Sequence, residues 1–119
     1  MNFHVKTRRI KNAVVLDLSG RLTIGDAVKL LRDMINSCMG NGDRKFVLNL
    51  EDVSHIDSSG VGELVWAHVS VRNRGGNIVL VNLTSKVRDL LQITKLLTVF
   101  DTYDSESRAI GALTGWPRL

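Results

Sequence analysis

Three short, nearly unbroken apolar runs constrain this chain more than any other feature: Ala13-Val14-Val15-Leu16 with Leu18, Phe46-Val47-Leu48 with Leu50, and Ile78-Val79-Leu80-Val81 with Leu83. Each is too short for a helix and too uniform for a strand with one wet face, so each reads as a strand covered on both sides. Between them the apolar spacing becomes helical. Ala27, Leu30, Leu31, Met34, Ile35 and Cys38 recur at helical intervals, and Val61, Leu64, Val65, His68 and Arg72 form a second stripe with Glu63, Trp66 and Ser70 on its far side. Strand-helix alternation demands crossover connections. Right-handed crossovers then give a largely parallel sheet with helices packed against it.

Punctuation completes the order. Phe3, Val5 and Thr7 alternate with polar neighbours, and Lys11-Asn12 joins them to the first apolar run as an N-terminal hairpin with an outer and a deeper strand. Thr23 and Asp26 have the spacing of a capping box for the first helix, which Gly40-Asn41-Gly42 stops. The second helix is expected from about Ser59 to Asn73, ending at Gly75-Gly76. Thr84 or Ser85 caps a third helix holding Val87, Leu90 and Leu91, and Leu96, Leu97, Val99 and Phe100 mark a short last strand. Asp104 or Ser105 caps a final helix with Ala109, Ile110 and Leu113 inside, terminated by Gly115 and Pro117. The expectation is an α/β chain in the order ββαβαβαβα, with a mixed central sheet and one domain over residues 1–119.

Size and charge exclude several functions. A chain of 119 residues holds one core, and 44% hydrophobic with 24% charged residues is ordinary globular composition. No apolar run reaches the ~20 residues of a membrane span, and MNFHVKTRRI lacks a signal peptide's apolar centre, so a soluble cytoplasmic protein is expected. The net charge of +4 permits an acidic partner. The basic residues are nevertheless scattered, with no nucleic-acid-binding module, so direct contact with nucleic acid or membrane is not expected. The one cysteine, Cys38, suits a buried small hydrophobe.

The candidate site is Asp57-Ser58-Ser59-Gly60, delivered by a turn from the carboxyl end of the second apolar run to the head of the second helix. Asp, Ser and Gly there serve as a plain helix cap, or the doubled hydroxyl marks a phosphoacceptor. A phosphate at this point would meet unpaired backbone N–H groups and the positive end of the helix dipole. Catalysis is not expected. His55, Asp57 and Ser58 are near neighbours in one turn, and the G-x-S-x-G elbow is missing. Glu51, Asp52 and Asp57 read as solvated carboxylates rather than a metal site. The chain carries neither G-x-x-x-x-G-K-[ST] nor G-x-G-x-x-G, so no cofactor is expected. Trp66 is either part of the core or an interface anchor.

Taken together, the hairpin, LSGRLT at Leu18 to Thr23, VLNLEDVSHIDSSGVGEL at Val47 to Leu64, GGNIVLVNLT at Gly75 to Thr84 and LLQITKLLTVFDTYDS at Leu90 to Ser105 resemble the STAS family, and within it the stand-alone bacterial anti-sigma factor antagonists. The resemblance implies a protein that is substrate and ligand, not an enzyme. Unphosphorylated, such a protein binds a serine-kinase anti-sigma factor and frees the sigma factor; phosphorylation of the first motif serine, here Ser58 with Ser59 as the alternative, ends binding, and a PP2C-type phosphatase restores it. Asp57, Ser58, Ser59, Gly60, Glu63, Trp66 and Thr23 are the implied partner-binding residues, with Glu63 and Trp66 expected to be exposed. Many phosphorylated antagonists carry Asp where this chain has Thr23 in Gly20-Arg21-Leu22-Thr23. A STAS scaffold that joins a multiprotein signalling complex without such a switch is the alternative, and a weak homodimer stays open.

Overall fold

The computed structural model describes residues 2–114. Strands β1 (Phe3–Ile10) and β2 (Ala13–Leu22) form the N-terminal hairpin, followed by α1 (Asp26–Gly40), β3 (Lys45–Ile56), α2 (Ser58–Asn73), β4 (Asn77–Val81), α3 (Ser85–Ile93), β5 (Thr102–Tyr103) and α4 (Glu106–Thr114). The sheet order is β1-β2-β3-β4-β5, antiparallel for the first pair and parallel thereafter. Strands that pair in chain order through same-handed crossovers place their helices on one face, and the larger core lies there, joining Leu31 and Ile35 of α1, Leu64 and Val71 of α2 and Leu91 of α3 to Leu16, Leu48 and Leu80 of the sheet. After β5 the chain doubles back. Helix α4 covers the opposite face, where Ala109, Ile110 and Leu113 meet Ala13, Val15, Val47, Val79 and Val81. The alternate residues of each apolar run therefore enter two clusters, one on each face and not the single core expected, which is why those runs lack polar members.

Two features shape the end of the sheet where β2 and β3 finish. Beyond Asn49, β3 leaves β4 behind and pairs only with β2, ending with Ile56 beside Leu22. At Gly20 the register of β2 against β3 shifts and the backbone takes φ 96°. A Cβ there would sit 1.9 Å from the carbonyl oxygen of Asn2, which accepts the N–H of Arg21 at 2.8 Å, so only glycine lets β1 start so close.

Three local expectations are corrected. The apolar cluster Leu96, Leu97, Val99 and Phe100 is not a strand: Leu97–Val99 is one 3₁₀ turn, and β5 lies just beyond, over Thr102–Tyr103. Lys95 at φ 61° turns the chain out of α3, and Phe100 is buried edge-on against the His68 ring of α2, at 5.5 Å between centroids, so packing places these residues without strand pairing. Thr23 does not cap α1. The cap position is Gly25 at φ 108°, with no side-chain hydrogen bond, because β2 runs on to Leu22 and the tight turn after it needs the glycine. In α2 the buried face is Gly60, Val61, Glu63, Leu64, Ala67 and Val71, while Arg72 is exposed. The expected stripe is rotated because α1 packs along the flank that carries Glu63. Gly115 and Pro117, expected to end α4, lie outside the described residues.

Candidate functional site

The site is the junction at which β3 becomes α2. Asp57 is still extended, at φ −115°, and its side chain performs two tasks at once. Oδ1 accepts the N–H of Gly60 at 2.9 Å, capping the helix, and Oδ2 accepts the N–H of Ile24 at 3.0 Å, tying the β2–α1 loop to the helix start. The Asp57 carbonyl accepts the N–H of Val61 at 3.0 Å. Partial burial works to raise the pKa of Asp57, but donation from Ile24, Gly60 and Ser59 outweighs it and holds the carboxyl below its usual value. An anionic Asp57 at the positive end of α2 is therefore built into the ground state. It also corrects in part the expectation that a phosphate would find the helix-start donors unpaired, since Asp57 already holds that of Gly60.

With capping assigned to Asp57, the serines are left without structural work. Ser58 is exposed and Ser59 half-buried, and neither hydroxyl has a hydrogen-bond partner among the described residues. Gly60 is buried beneath them. A Cβ there would lie 2.2 Å from the carbonyl oxygen of Leu22 and 2.8 Å from Cγ1 of Ile56, so the first turn of α2 rests directly on the ends of β2 and β3. The Ser58 hydroxyl is thus held at the tip of a rigid strand pair. His55 lies with its Nδ1 3.1 Å from Ser54 Oγ, and both oxygens of Asp57 accept backbone donors.

The other expected partner-binding residues divide. Glu63 is buried at 6% exposure, contrary to the expectation that it is open to a partner. Arg32 of α1 grips it with two parallel hydrogen bonds of 2.9 and 3.0 Å and also stacks over the Trp66 ring at 4.3 Å. Trp66 is half-buried and packs against the larger core, so it presents only part of its surface. Thr23 is half-buried beside Arg21, Ile24 and Asp26, on the β2–α1 loop that Asp57 holds. Sequence reasoning missed Ile24 and Arg32. Ile24 carried a usable signal, an isolated isoleucine before glycine in a turn, whereas Arg32 meets Glu63 from a separate helix and carried none.

The chain as a whole has relatives among known proteins. The STAS domain family profile matches residues 4–109. The anti-sigma-B factor antagonist of Bacillus subtilis is 28% identical over 85% of this chain and 91% of its own, and the anti-sigma F factor antagonist of Paenibacillus polymyxa is 23% identical over 95% and 97%. The solved structure of the anti-sigma factor antagonist SpoIIAA in its unphosphorylated form is 26% identical, covers 94% of this chain and 97% of that one, and superposes with a TM-score of 0.79. The phosphorylated form of the Bacillus cell fate determinant SpoIIAA, 25% identical over 92% and 98%, gives 0.70. Among the described residues no helix is long and apolar enough to cross a membrane.

Proposed function

This chain belongs to the STAS domain family, and from that premise we propose that it is an anti-sigma factor antagonist switched by phosphorylation of Ser58. Unmodified, it binds a serine-kinase anti-sigma factor and displaces the sigma factor; phosphorylated, it lets go; a PP2C-type phosphatase resets it. In this reading the chain is a ligand and a phosphoacceptor, and the catalytic groups belong to its partners. The partner-facing surface is Asp57, Ser58, Ser59 and the loop carrying Thr23, with the open part of Trp66 about two turns along α2. Gly60 and Glu63 act from below by fixing where that surface sits.

The observation that carries the proposal is the division of labour at the head of α2. Asp57 does the capping, so the exposed Ser58 hydroxyl is free to react without cost to the fold. Ser59, half-buried on the same turn, is the less accessible of the two. The same arrangement supplies the off state. A phosphoserine adds roughly −1.5 to −2 charges beside the Asp57 carboxylate, and burying them against a partner adds like-charge repulsion and an unpaired-ion penalty. Each ~1.4 kcal/mol is tenfold in affinity, so a few kcal/mol dissolves a tight complex.

Incubation with a purified serine-kinase anti-sigma factor and ATP, read by intact-mass spectrometry, tests the assignment. One added phosphate is expected on the wild type and none on Ser58→Ala. A phosphate that persists in Ser58→Ala and disappears in Ser59→Ala would move the switch to the neighbouring residue.

A further inference from the structure

Because β3 outruns β4, the tip that carries Ser58 has different neighbours on its two sides. One is the β2–α1 loop; the other is α3, which packs against β3 where β4 has ended. Both present isoleucine to solvent. Ile24, whose backbone N–H is held by Asp57, is 76% exposed, and Ile93, the last residue of α3, is 77% exposed. Among the described residues these are the two most exposed large hydrophobic side chains. Ile93 also borders a groove completed by Leu90, Ile56 and His55, with Lys86 and Asp89 on its edge.

Single exposed apolar residues are ordinary, but the two most exposed flanking one reactive hydroxyl are not a scatter. Resting on the reading that Ser58 is the kinase's target, we infer that Ile24 and the Ile56–Leu90–Ile93 groove are the apolar anchors that seat the serine-kinase anti-sigma factor, one on each side of the phosphoacceptor. Two anchors fix the approach of the hydroxyl better than one, since a single contact leaves the partner free to pivot. They also exclude water from the ground between them. A phosphate placed there is desolvated more completely than one at a rim, and its penalty grows accordingly. The occupant is a protein surface rather than a lipid: Lys86 and Asp89 set opposite charges one helical turn apart along the groove, which complements an apolar side chain flanked by an acid and a base.

The test measures binding of a purified serine-kinase anti-sigma factor to wild type, Ile24→Ser, Ile93→Ser and Val69→Ser. Val69 is 47% exposed and lies about three turns along α2 from Ser58, so it reports generic loss of apolar surface. All three side chains are largely outside the core, and unchanged thermal melting confirms that the variants fold. The inference expects Ile24→Ser and Ile93→Ser each to weaken binding at least tenfold, with Val69→Ser within twofold of wild type. If wild type binds and both isoleucine variants bind within twofold of it, the anchors are overturned while the function stands. If wild type binds no such kinase, the function fails and the anchors with it. A homodimer of the chain alone that dissociates on Ile93→Ser assigns the groove to a second copy and overturns the inference.

Discussion

Glu63 illustrates how much one buried charge constrains this surface. Its carboxylate is nearly sealed, at 7% side-chain exposure, and Arg32 is its ion-pair partner, itself 46% exposed. Arg32→Ala should strand that charge and remove the cation from over Trp66. Removing one member of a fully buried pair costs several kcal/mol; with Arg32 half in solvent, about 1–3 kcal/mol is expected, measured as a lower urea midpoint. His68 makes a second prediction. Burial lowers its pKa below 6.5, with Arg72 adding to the effect and Asp101 opposing it, and its buried Nδ1 has no hydrogen-bond partner. The unfolded chain therefore binds the proton more tightly than the folded one. Stability should fall as pH drops through the window just below 6.5, and level off once the folded imidazole also protonates. Urea unfolding from pH 7 downward should show this slope in wild type and lose it in His68→Phe. The Asp57-Ser58-Ser59-Gly60 turn was readable because a strand-to-helix junction writes its residues side by side. The Arg32–Glu63 pair was not, since its members sit on separate helices and only the packing of α1 on α2 brings them together.

At the level of elements, α2 is the piece whose position matters most, because it carries Ser58 and rests on the ends of β2 and β3 through Gly60. Gly60→Ala would push a methyl group into the Leu22 carbonyl and the Ile56 side chain. The helix start must then lift, at an expected cost of about 1–3 kcal/mol by overpacking, read as a lower melting temperature. Element type and order were legible because the apolar runs are short, pure and separated by helical spacing. The rotation of α2 was not. A helix pressed between a sheet and a neighbouring helix buries more than one stripe, so periodicity alone could not choose between the Val65–His68–Arg72 side and the Glu63–Ala67 side. The last strand failed for a related reason: hydrophobicity marks Leu96 to Phe100 as inward-facing, but Phe100, just after a 3₁₀ turn, is buried against His68 of α2 without any strand pairing.

For the whole molecule, the proposed function makes the fold a scaffold that places one reactive group without having to move. Among the described residues, five strands in chain order, with helices α1 to α3 on one face and α4 on the other, leave the long β3 as the element that projects beyond β4, and its tip is where Asp57 and Ser58 stand. On this account, charge at Ser58 is the signal and the fold is its fixed mount. The most direct test is the affinity of Ser58→Glu for a serine-kinase anti-sigma factor that binds the wild type, measured by calorimetry beside the melting temperature of each protein. A loss of tenfold or more with melting unchanged is predicted. Wild-type affinity in Ser58→Glu would contradict the account.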